Sequence, residues 1–138
     1  LALLQGINDG TIDVIVSNHD PRPAGDKRLP FAEASPGAVG LEVLLSAGLS
    51  QVADERLDLM AFLAAVTSNP ADILGLPSGR IEVGAPADIV LIDPNRPWVC
   101  HNEDLLSGSK NTPFDGRRLT GRAVITICGG DVVFELAG

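Results

Sequence analysis

Cationic side chains are scarce in this sequence of 138 residues. Ten Lys and Arg stand against 18 Asp and Glu, which gives a formal charge of −8. Nucleic acid and anionic membrane surfaces repel so acidic a chain, so we expect neither as a partner. No apolar run approaches the roughly 20 residues of a transmembrane helix. The opening residues 1–4 lack the basic flank and the length of a signal peptide, so we expect none there.

Cysteine and histidine are equally scarce. The two cysteines, Cys100 and Cys128, stand in apolar contexts. We therefore predict buried free thiols in a cytoplasmic protein, in preference to a disulfide or a metal pair. Neither His19 nor His101 has a second histidine at chelating distance in the sequence. We expect His19 to be hydrogen-bonded behind a strand end and His101 to lie at the surface.

Apolar residues make up 45% of the chain, enough for one domain with a sizeable core. Residues 11–16 form an apolar run without alternation, which is typical of a strand buried on both faces of a parallel sheet. A polar loop over residues 17–36 follows and contains four of the ten prolines. A loop of this length in a compact domain is usually functional or disordered.

The remaining segments predict helices and then strands. Helical spacing marks residues 41–49 and 57–66, and a short helix with Pro70 at its first position should end at Gly75. A further helix is expected over residues 1–5, closed by Gly6. Strands are expected at 81–83 and 88–93, followed by a hairpin around residues 129–131.

The strand at residues 11–16 has no predicted parallel neighbour. Left unpaired, it would be an apolar edge that invites association. We therefore expect the chain to be the C-terminal piece of a larger protein, and to self-associate as a homo-oligomer when it is alone.

Three motifs in order along the chain carry a family resemblance. They read "DVIVSNHDPRPAGDKRLPFAEASPGAVGLE", "SNPADILGLPSGRIEVGAPADIVLID" and "SKNTPFDGRRLTGRAVITICGGDVVFE". Together they resemble the dihydroorotases, of the cyclic-amidohydrolase branch of the amidohydrolase superfamily. The resemblance covers essentially the whole chain.

The resemblance implies an α/β fold. Residues 1–78 would be the C-terminal piece of a TIM-like (β/α)8 barrel, with residues 12–16 as its last strand. Residues 79–138 would be the C-terminal strands of a flanking β-sandwich, with Trp98 in its core. Active sites of such barrels lie at the C-terminal ends of the strands, which puts Asn18 at the active site.

The resemblance also implies roles for four residues. Asn18 occupies the position of the family's Asp, which ligates the metal and moves a proton. An amide has no titratable oxygen and is a weak zinc ligand, and Asp20 lies past the strand end, so we expect the chain alone to be inactive. Arg22 would clamp the substrate carboxylate. Backbone groups of Pro36 and Gly37 would touch the substrate.

Each of these residues also has a possible structural role that involves no substrate or metal. Asn18 would then only cap a turn, Arg22 would be a solvated loop residue, and the pair Pro36 and Gly37 would be a structural turn. Lys27, Arg28 and Phe31 are expected to order the loop.

The implied cofactor is zinc in the parent family. The remaining ligands, including an H-x-H pair, are absent from this sequence, so we expect this chain alone to bind no zinc. The implied substrates are carbamoyl aspartate and dihydroorotate, in pyrimidine biosynthesis. Two alternatives remain: a non-catalytic structural partner of aspartate carbamoyltransferase, and a cyclic amidase of the hydantoinase or allantoinase type.

Overall fold

A computed structural model of the chain describes residues 1–137. The described residues form five α-helices and three β-strands, and none of these helices has the length and apolar content to cross a membrane. The helices are α1 (Ala2–Asn8), α2 (Ala24–Lys27), α3 (Leu44–Ala53), α4 (Leu59–Val66) and α5 (Ser68–Leu74); the strands are β1 (Ile89–Val99), β2 (Arg118–Cys128) and β3 (Asp131–Glu135). Short 3-10 turns occupy Leu41–Val43 and Asn102–Asp104.

The three strands form one antiparallel sheet in the order β1-β2-β3. The hairpin between β2 and β3 turns at Gly129 and Gly130, whose φ angles of 59° and 94° are left-handed. Glycine accepts this conformation without strain, and it suits a tight two-residue hairpin. The predicted hairpin is confirmed. Strand β1 extends beyond the predicted residues 88–93, with an irregular register between Asp93 and Pro97.

Two helix predictions are confirmed and two are wrong. Helix α4 begins after Asp58, whose Oδ1 accepts a hydrogen bond from the Ala61 N–H at 2.8 Å. Helix α5 ends at Gly75, with φ at 65°, as predicted. The expected first position of Pro70 is wrong, because α5 begins at Ser68 and Pro70 is its third residue; N–H groups of the first turn have no intrahelical partner, so proline is tolerated there as well. Helix α1, however, runs through Gly6 instead of ending there. Gly6 is buried, and a Cβ on it would lie 3.0 Å from Ile12 Cδ1, so it serves close packing and not helix termination.

Two strand predictions are wrong. Residues 11–16 have no regular secondary structure, because no strand of the described residues lies beside them. Their backbone bonds to helices instead: Ile15 N–H donates to the Ala65 carbonyl at 3.0 Å. Residues 81–83 also lie outside the sheet, and the side chains of Ile81 and Val83 are exposed.

Two apolar cores join residues from both sides of the predicted boundary at 78/79. The first contains Val39, Val43, Cys100, Leu105 and Leu119, with Trp98 and Phe114 packed against it. The second centres on Leu49, Leu57 and Phe62, and Ile92 of β1 reaches it. The division into two domains stays a prediction.

The two cysteines differ in burial. Both are free, as predicted, but only Cys100 is buried. The expected burial of Cys128 is wrong, because this residue ends β2 at the exposed hairpin.

Candidate functional site

Residues 17–40, which we call the site loop, contain most of the candidate site residues. The two arms of the loop are joined by a parallel bridge between His19 and Ala38, and the Asp20 N–H donates to the Ala38 carbonyl at 2.9 Å. His19 Nδ1 accepts from the N–H groups of Gly40 at 3.3 Å and Leu41 at 3.2 Å. The prediction of a hydrogen-bonded His19 is confirmed.

Asn111, outside the site loop, ties the loop to the sheet region. Its Oδ1 accepts from the Arg22 N–H at 3.0 Å, and its Nδ2 donates to the Gly37 carbonyl at 3.0 Å. Its own carbonyl accepts from the Val39 N–H at 2.8 Å. Sequence reasoning missed this role, although Asn111 lies within the quoted "SKNTPF" motif. A side-chain amide can satisfy a donor and an acceptor at once, which suits this bridging position.

Lys27 fastens the far end of the loop. Its Nζ donates to the Ser35 carbonyl at 2.7 Å and to the Gly37 carbonyl at 3.1 Å. The prediction that Lys27 orders the loop is therefore confirmed. Phe31 is fully exposed and packs against nothing, which makes its predicted ordering role wrong. Arg28 is exposed, and its side chain makes no hydrogen bond within residues 1–137.

Arg22 is held in one orientation. Its Nη2 pairs with Asp20 Oδ2 at 2.7 Å, and its Nε donates to the Pro36 carbonyl at 3.2 Å. Within residues 1–137, Nη1 has no partner, so the end of the guanidinium formed by Nη1 and the second N–H of Nη2 stays open. That edge has the geometry to bind a carboxylate with two parallel hydrogen bonds. The Asp20 carboxylate is itself committed to Arg22.

Gly37 occupies a position that only glycine fits. Its φ is 109°, and a Cβ would lie 2.4 Å from the Asp20 carbonyl oxygen. The Gly37 carbonyl is occupied by Lys27 and Asn111, whereas its N–H has no acceptor among the described residues. The N–H is therefore the group that Gly37 can offer to a ligand.

Asn18 stands at the rim of a cavity of about 320 Å³. It is exposed and has a left-handed φ of 44°, a conformation that Asn and Asp tolerate better than other side chains. Its side chain makes no hydrogen bond within residues 1–137, so it caps no turn among them. The cavity is lined by Ser17, Asn18, Gly37, Ala38, Val39, Gly40, Pro113 and Phe114.

Arg22 borders a second, neighbouring cleft of about 230 Å³. Of the four predicted site residues, then, Asn18 and Gly37 share one cavity, while Arg22 contacts Pro36 and opens on the next. The second cleft is lined by Arg22, Ala24, Lys27, Arg28, Asn102, Lys110 and Asn111.

Glu42 is a second residue that sequence reasoning missed. Its Oε2 accepts from the Leu106 N–H at 2.8 Å and its Oε1 from the Ser107 N–H at 3.0 Å. A carboxylate that accepts two backbone N–H groups fixes the segment before Asn111. The signal was the "GLE" of the first motif, but the partners lie more than 60 residues away.

The donor set at the candidate site does not fit a zinc ion. Asn18 offers a neutral amide, and His19 Nδ1 is already occupied by two backbone N–H groups. Across residues 1–137 no cluster of three or more His, Cys, Asp or Glu side chains could hold a metal ion. Zinc requires about four N, S or carboxylate ligands. The described residues alone therefore do not assemble such a centre.

Comparison with known proteins shows which family this chain resembles along its length. Residues 1–133 match the amidohydrolase family. A dihydroorotase of Geotalea daltonii is 43% identical over 134 residues, which cover 97% of this chain and 32% of that protein. A dihydroorotase of a Wolbachia from Drosophila simulans is 38% identical and is covered to 31% of its length. The chain thus spans less than a third of these relatives.

Hydantoinases are among the solved structures with the same fold. The L-hydantoinase (dihydropyrimidinase) from Arthrobacter aurescens superposes with a TM-score of 0.91 and 32% identity, over 96% of this chain and 31% of that one. A D-hydantoinase from Thermus sp. gives a TM-score of 0.89 at 24% identity over 97% of this chain and 31% of that one, which speaks to the fold alone.

Proposed function

Because this chain belongs to the amidohydrolase family, we propose that it forms the substrate-loop portion of a dihydroorotase-type cyclic amidase. The complete protein would interconvert carbamoyl aspartate and dihydroorotate by closing and opening a cyclic amide. In it, residues 11–16 would gain neighbouring strands and become the last strand of the barrel. Residues 1–78 would belong to that barrel, and residues 79–138 to its flanking sandwich.

The observation that carries the proposal is the preformed site loop. Arg22 presents an open guanidinium edge, held by Asp20 and the Pro36 carbonyl. Gly37 presents a free N–H at the cavity that it lines together with Asn18, next to the cleft that Arg22 borders. A substrate carboxylate requires such donors, and donors that are already fixed lose little conformational entropy on binding. We assign carboxylate binding to Arg22 and backbone contact to Pro36 and Gly37.

Asn18 explains why the chain should not turn over substrate. The family position is an aspartate that accepts and returns a proton, and the Asn18 amide has no oxygen that titrates near neutral pH. Loss of a general base costs about 10²- to 10⁴-fold in rate. We propose no reaction step through a metal, because the described residues do not form its site.

The first test is an assay of the pure chain with carbamoyl aspartate and added zinc. We expect no turnover above the buffer rate. Turnover by the chain would refute the proposed inactivity.

The sharper test is a chimera. The matching 134-residue segment of the Geotalea daltonii dihydroorotase is replaced by this chain, with Asn18 or with Asn18→Asp. Aspartate tolerates the left-handed backbone at this position, so the substitution changes charge with little structural cost. We expect Asn18→Asp to raise ring-opening activity by about 10²- to 10⁴-fold. Asn95→Asp is the matched control and should leave activity unchanged.

Two other outcomes of the chimera would redirect the proposal. If the chimera has the same measurable activity with Asn18 and with Asn18→Asp, residue 18 does not have the role of the family's proton-transferring Asp. A folded chimera that stays inactive with Asn18→Asp would favour the non-catalytic alternative, a structural partner of aspartate carbamoyltransferase, for which the neutral Asn18 is the supporting observation.

A cyclic amidase of the hydantoinase type is the remaining candidate. The TM-score of 0.91 to the Arthrobacter L-hydantoinase favours it. The identity of 43% to a dihydroorotase, against 32% to that hydantoinase, favours carbamoyl aspartate chemistry. Activity of the Asn18→Asp chimera on dihydroorotate, measured beside hydantoin and dihydrouracil, decides between the two.

A further inference from the structure

A basic cleft borders the site loop and shares no lining residue with the Asn18 cavity. Its lining holds four cationic side chains, Arg22, Lys27, Arg28 and Lys110, and no carboxylate. The whole chain has ten Lys and Arg and a net charge of −8. Four of those ten cations line one cleft, so this cleft is positively charged although the molecule as a whole is negatively charged.

The cations of this cleft are held by neutral groups more than by acids. Lys27 Nζ donates to two carbonyls, at 2.7 Å and 3.1 Å, and Lys110 Nζ donates to the Leu105 carbonyl. Carbonyls fix the position of an ammonium group and leave its full positive charge. Arg22 is the one of the four that an acid partly neutralises, through Asp20 at 2.7 Å.

The space suits a small ligand. The cleft measures about 230 Å³, below the range of about 300 to 1,000 Å³ typical of drug-sized ligands. Its polar neighbours, Asn102 and Asn111, add amide groups at the rim. Positive charge that lines a concave space focuses the electric field on an anion of matching size.

We propose that this cleft binds a small multivalent anion of the phosphate class. The anion would lie between α2 and the segment that carries Lys110, and Arg28, whose side chain is free within residues 1–137, would close on it. The bound anion would cross-link the site loop to Asn111. This cleft shares no lining residue with the Asn18 cavity, but it includes Arg22, to which we assign carboxylate binding. Arg28→Gln leaves Arg22 in place, so its effect on phosphate binding is distinguishable from a failure of the proposed function.

The test is a titration of the ¹⁵N-labelled chain with inorganic phosphate, at constant ionic strength balanced by NaCl. We expect saturable shifts of the Arg28, Asn102 and Asn111 amides. Arg28→Gln should weaken phosphate binding by about tenfold, the size expected for one charge-assisted hydrogen bond. This variant should fold normally, because it removes no hydrogen bond within the described residues.

Arg56→Gln is the matched control, since it removes the same charge from an exposed residue outside the cleft. It should leave phosphate affinity within about twofold, because Arg56 does not line the cleft and salt screens an exposed charge that does not touch the anion. Two results would overturn the proposal. One is an equal response to phosphate and to NaCl; the other is equal weakening by Arg28→Gln and Arg56→Gln.

Discussion

Two loop segments of this chain are similar in composition but differ in the contacts that hold them. The site loop (17–40) and the exposed segment formed by residues 76–88 are both rich in Gly and Pro. Long-range hydrogen bonds from Asn111 anchor the site loop, and Val39 within it is fully buried. In the exposed segment every residue is exposed. The difference shows that distant polar partners, and not local composition, turn a loop into a positioned binding element.

The exposed segment has mostly local contacts. Its two internal backbone hydrogen bonds run from the Ala85 N–H to the Glu82 carbonyl at 3.2 Å and from the Asp88 N–H to the Pro86 carbonyl at 2.9 Å. Its ion pairs join Arg80 to Asp72 and Glu82. Hairpin residues hold the C-terminal end of the segment: the Gly129 N–H donates to Asp88 Oδ1 at 2.7 Å, and the Gly130 N–H donates to the Ala87 carbonyl at 3.2 Å. We therefore expect the two segments to respond very differently to perturbation.

The largest expected contrast is in thiol reactivity. Cys100 packs in the core beneath the site loop with Val39, whereas Cys128 lies exposed beside the hairpin that holds the exposed segment. Burial, and next the nearby Asp115, raises the pKa of the Cys100 thiol. At neutral pH, Cys128 should react with a thiol reagent at least about 10³-fold faster than Cys100, which must await opening of the core. Comparable rates would show that the core beneath the site loop opens easily.

The same thiol gives a pH dependence with a definite sign. Because the folded-state pKa of Cys100 is raised, its contribution to stability is complete below the unfolded-state pKa. That contribution falls as the pH rises above the unfolded-state value toward the folded-state value. Cys100→Ala should flatten the alkaline decline in the free energy of unfolding, and Cys128→Ala should leave it unchanged.

The next contrast compares a glycine in each segment. Gly37→Ala combines a φ of 109° with a Cβ 2.4 Å from the Asp20 carbonyl oxygen. We expect a loss of about 2–4 kcal/mol in the free energy of unfolding. Gly84→Ala has a similar φ of 89° but meets no atom within 4 Å, so it should lose only about 1–2 kcal/mol. Urea denaturation measures the free energy of unfolding of both variants. Equal losses would mean that the site loop accommodates the added Cβ as easily as the exposed segment does.

The smallest contrast concerns a cation in each segment. Lys27→Gln removes two hydrogen bonds to carbonyls of the site loop and should cost about 1–2 kcal/mol. Arg80→Gln breaks an ion pair whose side chains are 45% and 53% exposed, so solvent screening should make its cost smaller than that of Lys27→Gln. Thermal unfolding of the two variants tests which substitution destabilises the protein more. A larger loss of stability in Arg80→Gln would contradict the prediction.

Sequence patterns predicted the elements whose causes are local. Gly129 and Gly130 specify the hairpin by themselves, and Gly75 ends α5 by its own conformation. Residues 11–16 and 81–83 failed as strands, because a strand exists only with a neighbour to bond to, and the described residues offer none there.

The candidate site also combines features that local sequence motifs indicate with features that depend on distant contacts. The family motifs pointed to the site loop and its four candidate residues, whose roles remain proposals. They did not indicate which groups hold the loop, because Asn111 contacts residues 74 and 89 positions away. Ser46 is similar: this polar residue is buried, and its Oγ donates to the Gly121 carbonyl at 2.5 Å, 75 residues away. Such partners become visible only after the chain has folded.

Hydrogen exchange at the Arg22 amide tests the central claim, that Asn111 holds the site loop ready for a ligand. This N–H donates to Asn111 Oδ1 at 3.0 Å. We predict that it exchanges at least about tenfold more slowly than the Ala85 amide, and that Asn111→Ala, but not Asn95→Ala, abolishes the difference. An Arg22 amide that exchanges as fast as that of Ala85 in the unaltered chain would contradict the account.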